Sequence, residues 1–172
     1  MRLKTRKKFV FSITKMSDAK TVLQALEMAG KTLTTAESCT GGWVGKLLTD
    51  VPGSSKTYMG GVISYTNVVK HTLLGVPMEI LDSFGAVSEQ TAIAMADGVR
   101  RLLGSDFGAS VTGLAGPDGD GSDRPVGLVY IAVSSENRTL YRRLQLEGGR
   151  IQVRESACNE LFLLILSMLG IG

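Results

Sequence analysis

The chain of 172 residues predicts an α/β fold of about five strands between helices, and three observations carry that expectation. Strand-like runs alternate with helical runs along the sequence. Glycines or a Pro-Gly pair punctuate most of the junctions. The hydrophobic content of 44% fills one core, while the length is too short for two full domains.

The elements follow in order. Ser17 can cap a helix whose Val22, Leu23, Leu26 and Ala29 share one face, and Gly30 stops it. Lys31 to Ala36 reads as a short strand. Gly41 and Gly42 then let the backbone turn into a helix carrying Val44, Leu47 and Leu48, which Pro52 and Gly53 end. Tyr58 to Tyr65 is a second strand, and Asn67 can cap a helix that runs through Leu73 and Leu74 to Gly75. A long packing helix spans Ser88 to about Leu103, with Ala92, Ile93, Ala96 and Val99 at helical spacing. Phe107 to Leu114 is a third strand, followed by a polar loop with Asp118, Asp120 and Asp123. The run after Pro125 is the most strand-like of all. Glu136 and Asn137 turn it into a partner strand ending near Leu146, and a last helix covers Arg150 to Leu169.

Charge sits unevenly. Six of the nineteen Lys and Arg residues fall in the first fifteen positions, leaving thirteen basic against sixteen acidic residues in the body. Residues 1–15 therefore read as a basic, disordered extension ahead of a single domain at 16–172, and Met16 can serve as a natural start. A nucleic-acid-binding body is disfavoured, because the basic excess belongs to the tail. The apolar run Phe9 to Ile13 is too short for a secretory signal, and no stretch is long enough for a membrane span, so a cytoplasmic protein is expected. Cys39 and Cys158, without a CxxC pattern and with His71 as the one histidine, point to neither a disulfide framework nor a zinc site; no metal or cofactor is expected.

The most informative stretch is Thr34 to Gly42, T-T-A-E-S-C-T-G-G, which puts Ser38 between a strand and a glycine-opened helix. A serine there can act as a nucleophile beside the free N–H groups of the helix's first turn. A serine without a histidine needs another base, and Tyr65 and Lys70 supply a phenol and an amine. Alternatives stand at each position. Ser38 alone reads as an N-cap, Tyr65 as a sheet aromatic and Lys70 as a solvated charge. Cys39 is a competing nucleophile, and Glu37 is either structural or orients a neighbour.

The runs A-E-S-C-T-G-G, P-G-S-S-K, Y-T-N-V-V-K-H-T-L-L-G-V, G-A-V-S-E, V-T-G-L-A-G-P and R-P-V-G-L-V-Y, in that order, closely resemble the CinA C-terminal domain family, which includes nicotinamide mononucleotide deamidases. The resemblance spans Ser17 to Leu169. It implies a three-layer α/β/α sandwich with a mixed, mostly parallel sheet, and a homo-oligomer. It also implies an amidohydrolase of pyridine-nucleotide recycling that converts the mononucleotide carboxamide to the acid with release of ammonia. It places the nucleophile on Ser38 and its tyrosine and lysine on Tyr65 and Lys70. Thr40, Gly41 and Gly42 are expected to hold the oxyanion, Thr112 and Gly113 to line the nucleotide pocket, and Arg150 and Arg154 to offer guanidinium groups. The chain departs from the family's glycine-rich loop at Asp118, Asp120 and Asp123, where carboxylates would repel a phosphate. The alternative is therefore a catalytically silent, nucleotide-binding paralogue.

Overall fold

The computed structural model describes residues 18–171. The basic extension at 1–15 and the Met16 start lie outside the described residues, and the cap of the first helix is Asp18 rather than Ser17. The elements are α1 (Ala19–Ala29), β1 (Leu33–Glu37), α2 (Trp43–Thr49), β2 (Tyr58–Ile63), α3 (Asn67–Leu74), α4 (Met78–Phe84), α5 (Glu89–Leu103), β3 (Phe107–Gly113), β4 (Leu128–Ser134), β5 (Thr139–Gln145) and α6 (Arg150–Met168).

Side-chain caps start three of the helices. Asp18 accepts from the Thr21 N–H at the head of α1, Thr66 from Val69 N–H at α3 and Ser88 from Thr91 N–H at α5. The α3 cap is thus Thr66 rather than Asn67, which is already helical. Helix α4 was not expected from the sequence. It is seven residues long, opens at Pro77 without a side-chain cap, and covers less than two turns, too little for a helical period to show.

The sheet order is β2-β1-β3-β4-β5. β1 pairs in parallel with both β2 and β3, whereas β3–β4 and β4–β5 are antiparallel. The sheet is mixed as expected: β4 alone runs against the other four, and the pairings divide evenly between the two kinds. β1 is buried at every residue, and β3 and β4 nearly so, because helices cover both faces of the sheet centre. The edge strands β2 and β5 keep alternating exposure along most of their length.

Helices α1, α2 and α6 close one face around Leu26, Leu33, Leu48, Leu161, Phe162 and Ile165. Helices α3, α4 and α5 cover the other around Leu74, Leu81, Met95 and Val99. Ala92 and Ala96 of α5 pack onto Ala132 of β4, small residues that bring helix and strand close. The chain leaves β1 toward β2 on one side, and β3 lies on the other. The carboxyl ends of β1 and β3 therefore frame the crevice where open α/β sheets place their sites.

Candidate active site

The strand end of β1 delivers Glu37 and Ser38 to that crevice. The Ser38 N–H donates to Val111 O of β3 at 3.0 Å, which ties the serine to the neighbouring strand. The chain then reverses through Gly41 (φ 59) and Gly42 (φ 93), left-handed conformations that a side chain would strain.

Glu37 dominates this turn. Its buried carboxylate accepts from Thr40 Oγ1 at 2.7 Å, Gly42 N at 3.0 Å, Val44 N at 3.0 Å and Gly45 N at 2.8 Å. One acidic side chain thereby satisfies the orphan donors at the start of α2. This corrects the expectation for Gly41 and Gly42, whose amides are not free to hold an oxyanion. The Gly42 N–H is taken by Glu37, and the Gly41 N–H donates to Ser38 O at 3.1 Å. Among the described residues, the amides of Cys39 and Thr40 meet no acceptor, and they follow Ser38 directly. The role of Glu37 was open in the sequence; the signal was a carboxylate placed just ahead of a glycine-opened helix.

Lys70 comes from α3, on the opposite face of the sheet. Only 1% of it is exposed. Its Nζ lies 3.0 Å from Ser38 Oγ, 2.7 Å from Ser64 O and 3.4 Å from Tyr65 O. Burial disfavours the ammonium and brings the pKa down to about 8. As an amine, Lys70 can give its two N–H groups to the carbonyls and turn its lone pair to the serine hydroxyl. The solvated surface charge that Lys70 suggests in isolation is not what the fold makes of it. Ser64 escaped notice in the sequence because it acts through its backbone: its N–H donates to Glu37 O at 2.7 Å while its carbonyl receives Lys70.

The Tyr65 phenol is not brought into this pair. The residue is 60% exposed, and only its backbone carbonyl reaches Lys70. Cys39 is buried, and its thiol is pushed up to about 12 by desolvation, so it offers no thiolate near neutral pH.

Ser38, Tyr65 and Lys70 line one cavity of about 300 Å³, together with Thr112, Gly113, Asp118, Asp120 and Arg150. That volume is at the lower end for small-molecule sites. Thr112 Oγ1 donates to Ala86 O at 2.7 Å and holds the loop ahead of α5 against the strand. Arg150 Nη1 donates to Gly116 O at 2.6 Å at the cavity wall. Arg154 departs from its expected place as a ligand-binding residue. Its Nη2 donates to Thr40 O at 2.6 Å, and its guanidinium lies 4.9 Å from the centroid of the Trp43 ring, so it braces the back of the turn. Asp120 accepts from the Ser122 N–H at 3.1 Å and from its hydroxyl, and faces Arg124 at 3.6 Å. Among the described residues there is no cluster of three metal-ligating side chains, and no helix is long and apolar enough to cross a membrane.

Known proteins share this arrangement of elements. A competence-damage inducible protein of Desulforudis audaxviator is 51% identical over 162 residues, 94% of this chain and 39% of the relative. A CinA-like protein of Kosmotoga olearia is 44% identical over 149 residues, 87% of this chain and 36% of the relative. The chain thus spans about two-fifths of the length of these relatives. The crystal structure of the competence/damage inducible protein CihA from Agrobacterium tumefaciens superposes with a TM-score of 0.85 at 34% identity, covering 94% of this chain and 99% of that one. A CinA superfamily protein from Klebsiella pneumoniae also gives 0.85, at 30% identity, covering 90% and 96%. The family model described as the CinA C-terminal domain matches residues 15–169, and the chain belongs to that family.

Proposed function

We propose that this chain is an amidohydrolase that converts nicotinamide mononucleotide and water to nicotinate mononucleotide and ammonia, in pyridine-nucleotide recycling. The observation that carries the reading is the buried Lys70 amine 3.0 Å from the Ser38 hydroxyl, with a pKa brought down to about 8. Neutral Lys70 takes the Ser38 proton as the oxygen attacks the carboxamide carbon. The oxyanion that forms meets the Cys39 and Thr40 amides, donors of a kind worth about 3 kcal/mol each in such sites. The Lys70 ammonium returns the proton to the departing nitrogen, the C–N bond breaks, and ammonia leaves an ester on Ser38. Water, deprotonated by the same amine, then cleaves the ester to the acid and restores the hydroxyl. With Lys70 this close, the proton needs no phenol relay, and Tyr65 is left as part of the cavity lining.

Purified protein incubated with nicotinamide mononucleotide is expected to release ammonia, with a loss of at least a thousandfold in Ser38→Ala. Absence of ammonia from the wild-type protein would overturn the reading. One observation favours a second reading, a nucleotide-binding paralogue without turnover: Asp118 and Asp120 line the cavity and oppose a phosphate. Calorimetric binding of the mononucleotide without ammonia release would select it.

A further inference from the structure

The cavity's charges are not equally occupied. Its two cations are engaged: Lys70 with Ser38 and two carbonyls, and Arg150 with Gly116 O. Of its two carboxylates, Asp120 is held by Ser122 and faces Arg124. Asp118 lines the same cavity and, among the described residues, has no hydrogen-bond or ion-pair partner. An independent feature lines the same cavity. Tyr65 lines the cavity and is exposed, and its phenol makes no hydrogen bond among the described residues.

An unpaired carboxylate and an exposed aromatic side chain in one cavity are complementary to one kind of group, a cation spread over a flat apolar body. The carboxylate attracts the charge, and the ring's electron-rich face receives it. A neutral amide gains from neither, and a phosphate loses against the carboxylate. Phosphate recognition has no obvious home at the α2 start either, because Glu37 already fills that helix end.

The geometry points to Asp118, with Tyr65, as the determinant that selects amides carried on a positively charged ring: N-substituted pyridinium carboxamides in preference to their neutral counterparts. This rests on the amidohydrolase reading of the site and names the residues that read its substrate's ring charge. Asp118 then acts on the ring, and its repulsion of the phosphate is the smaller effect.

Nicotinamide mononucleotide and its 1,4-dihydro form separate these effects, since they share ribose and phosphate and differ in ring charge. Titration calorimetry is made on Ser38→Ala, to prevent turnover, and on Ser38→Ala carrying Asp118→Asn, with thermal melting of both to establish that they are folded. The expected result is that Asp118→Asn weakens the oxidised nucleotide about tenfold relative to the dihydro form. In the same background, Tyr65→Leu shifts the ratio in the same direction and Tyr65→Phe does so less. Tighter binding of the oxidised nucleotide in Asp118→Asn would overturn the inference, since the carboxylate would then act on the phosphate. Equal change for both nucleotides would overturn it too. Failure of the amidohydrolase reading looks different: the oxidised nucleotide binds with the expected selectivity, yet the wild-type protein releases no ammonia.

Discussion

At neutral pH an ordinary lysine is a cation with no lone pair to offer, so its value as a base depends on where the fold puts it. Lys70 is enclosed, and its pKa falls to about 8 because water is withdrawn from the ammonium. The lone pair becomes available as the pH rises through that value. The rate kcat/KM on nicotinamide mononucleotide is therefore expected to climb about tenfold per pH unit below about 8 and to level off above it. A profile flat from pH 6 to 9 would contradict Lys70 as the base. Lys70→Arg keeps a charge but has no neutral form in this range, and it is expected to be inactive across the whole profile.

Elements fix where these groups meet. Helix α3 carries Lys70, and its last residue, Leu74, lies against α5 at Gly98. A Cβ on Gly98 would collide with the Leu74 carbonyl oxygen and come within 3.1 Å of Leu74 Cβ. Gly98→Val is expected to push α3 outward, lowering stability by about 1–3 kcal/mol and lowering kcat as Lys70 leaves Ser38. Denaturant unfolding and steady-state kinetics on the same variant check both effects. Glycine at this position was not legible as a contact, because the sequence shows a helix with small residues but not which helix they admit. The same limit applies to the turn after β1. The strand, the glycine pair and the serine can be read from T-T-A-E-S-C-T-G-G. The capture of the α2 amides by Glu37 cannot, since it depends on how sharply Gly41 and Gly42 fold the chain back. Arg154 misled for a similar reason: spacing put it one turn from Arg150, yet the helix aims it at Thr40 O.

Among the described residues the order of strands and helices follows the alternation in the sequence, with α4 the one α-helix that was missed. Pairing direction was less legible, because a short connection between β4 and β5 identifies a hairpin, whereas nothing local tells β4 to run against β3. The fold holds Lys70 where its charge is unwelcome, and that has a cost in stability. The folded pKa lies below the unfolded one of 10.5. Between about 8 and 10.5 the unfolded chain thus binds more protons, and stability attributable to this group rises with pH. The penalty is fully present below about 8, on the order of 3 kcal/mol at most. Lys70→Met removes it. The stability of Lys70→Met relative to wild type is expected to be highest near pH 7 and to decline toward pH 10, as measured by urea unfolding at each pH. A difference that does not change with pH would place the buried charge elsewhere.

In the proposed reaction Ser38, activated by Lys70, carries the acyl group between the two halves of hydrolysis. Acid-quenched turnover of nicotinamide mononucleotide, followed by peptide mass spectrometry, tests it most directly. The nicotinate mononucleotide acyl group is expected as an ester on the peptide that contains Ser38, and it should be absent from Ser38→Ala and Lys70→Met. Ammonia release at the wild-type rate from Ser38→Ala, or an acyl group found on any other residue, would contradict Ser38 as the nucleophile.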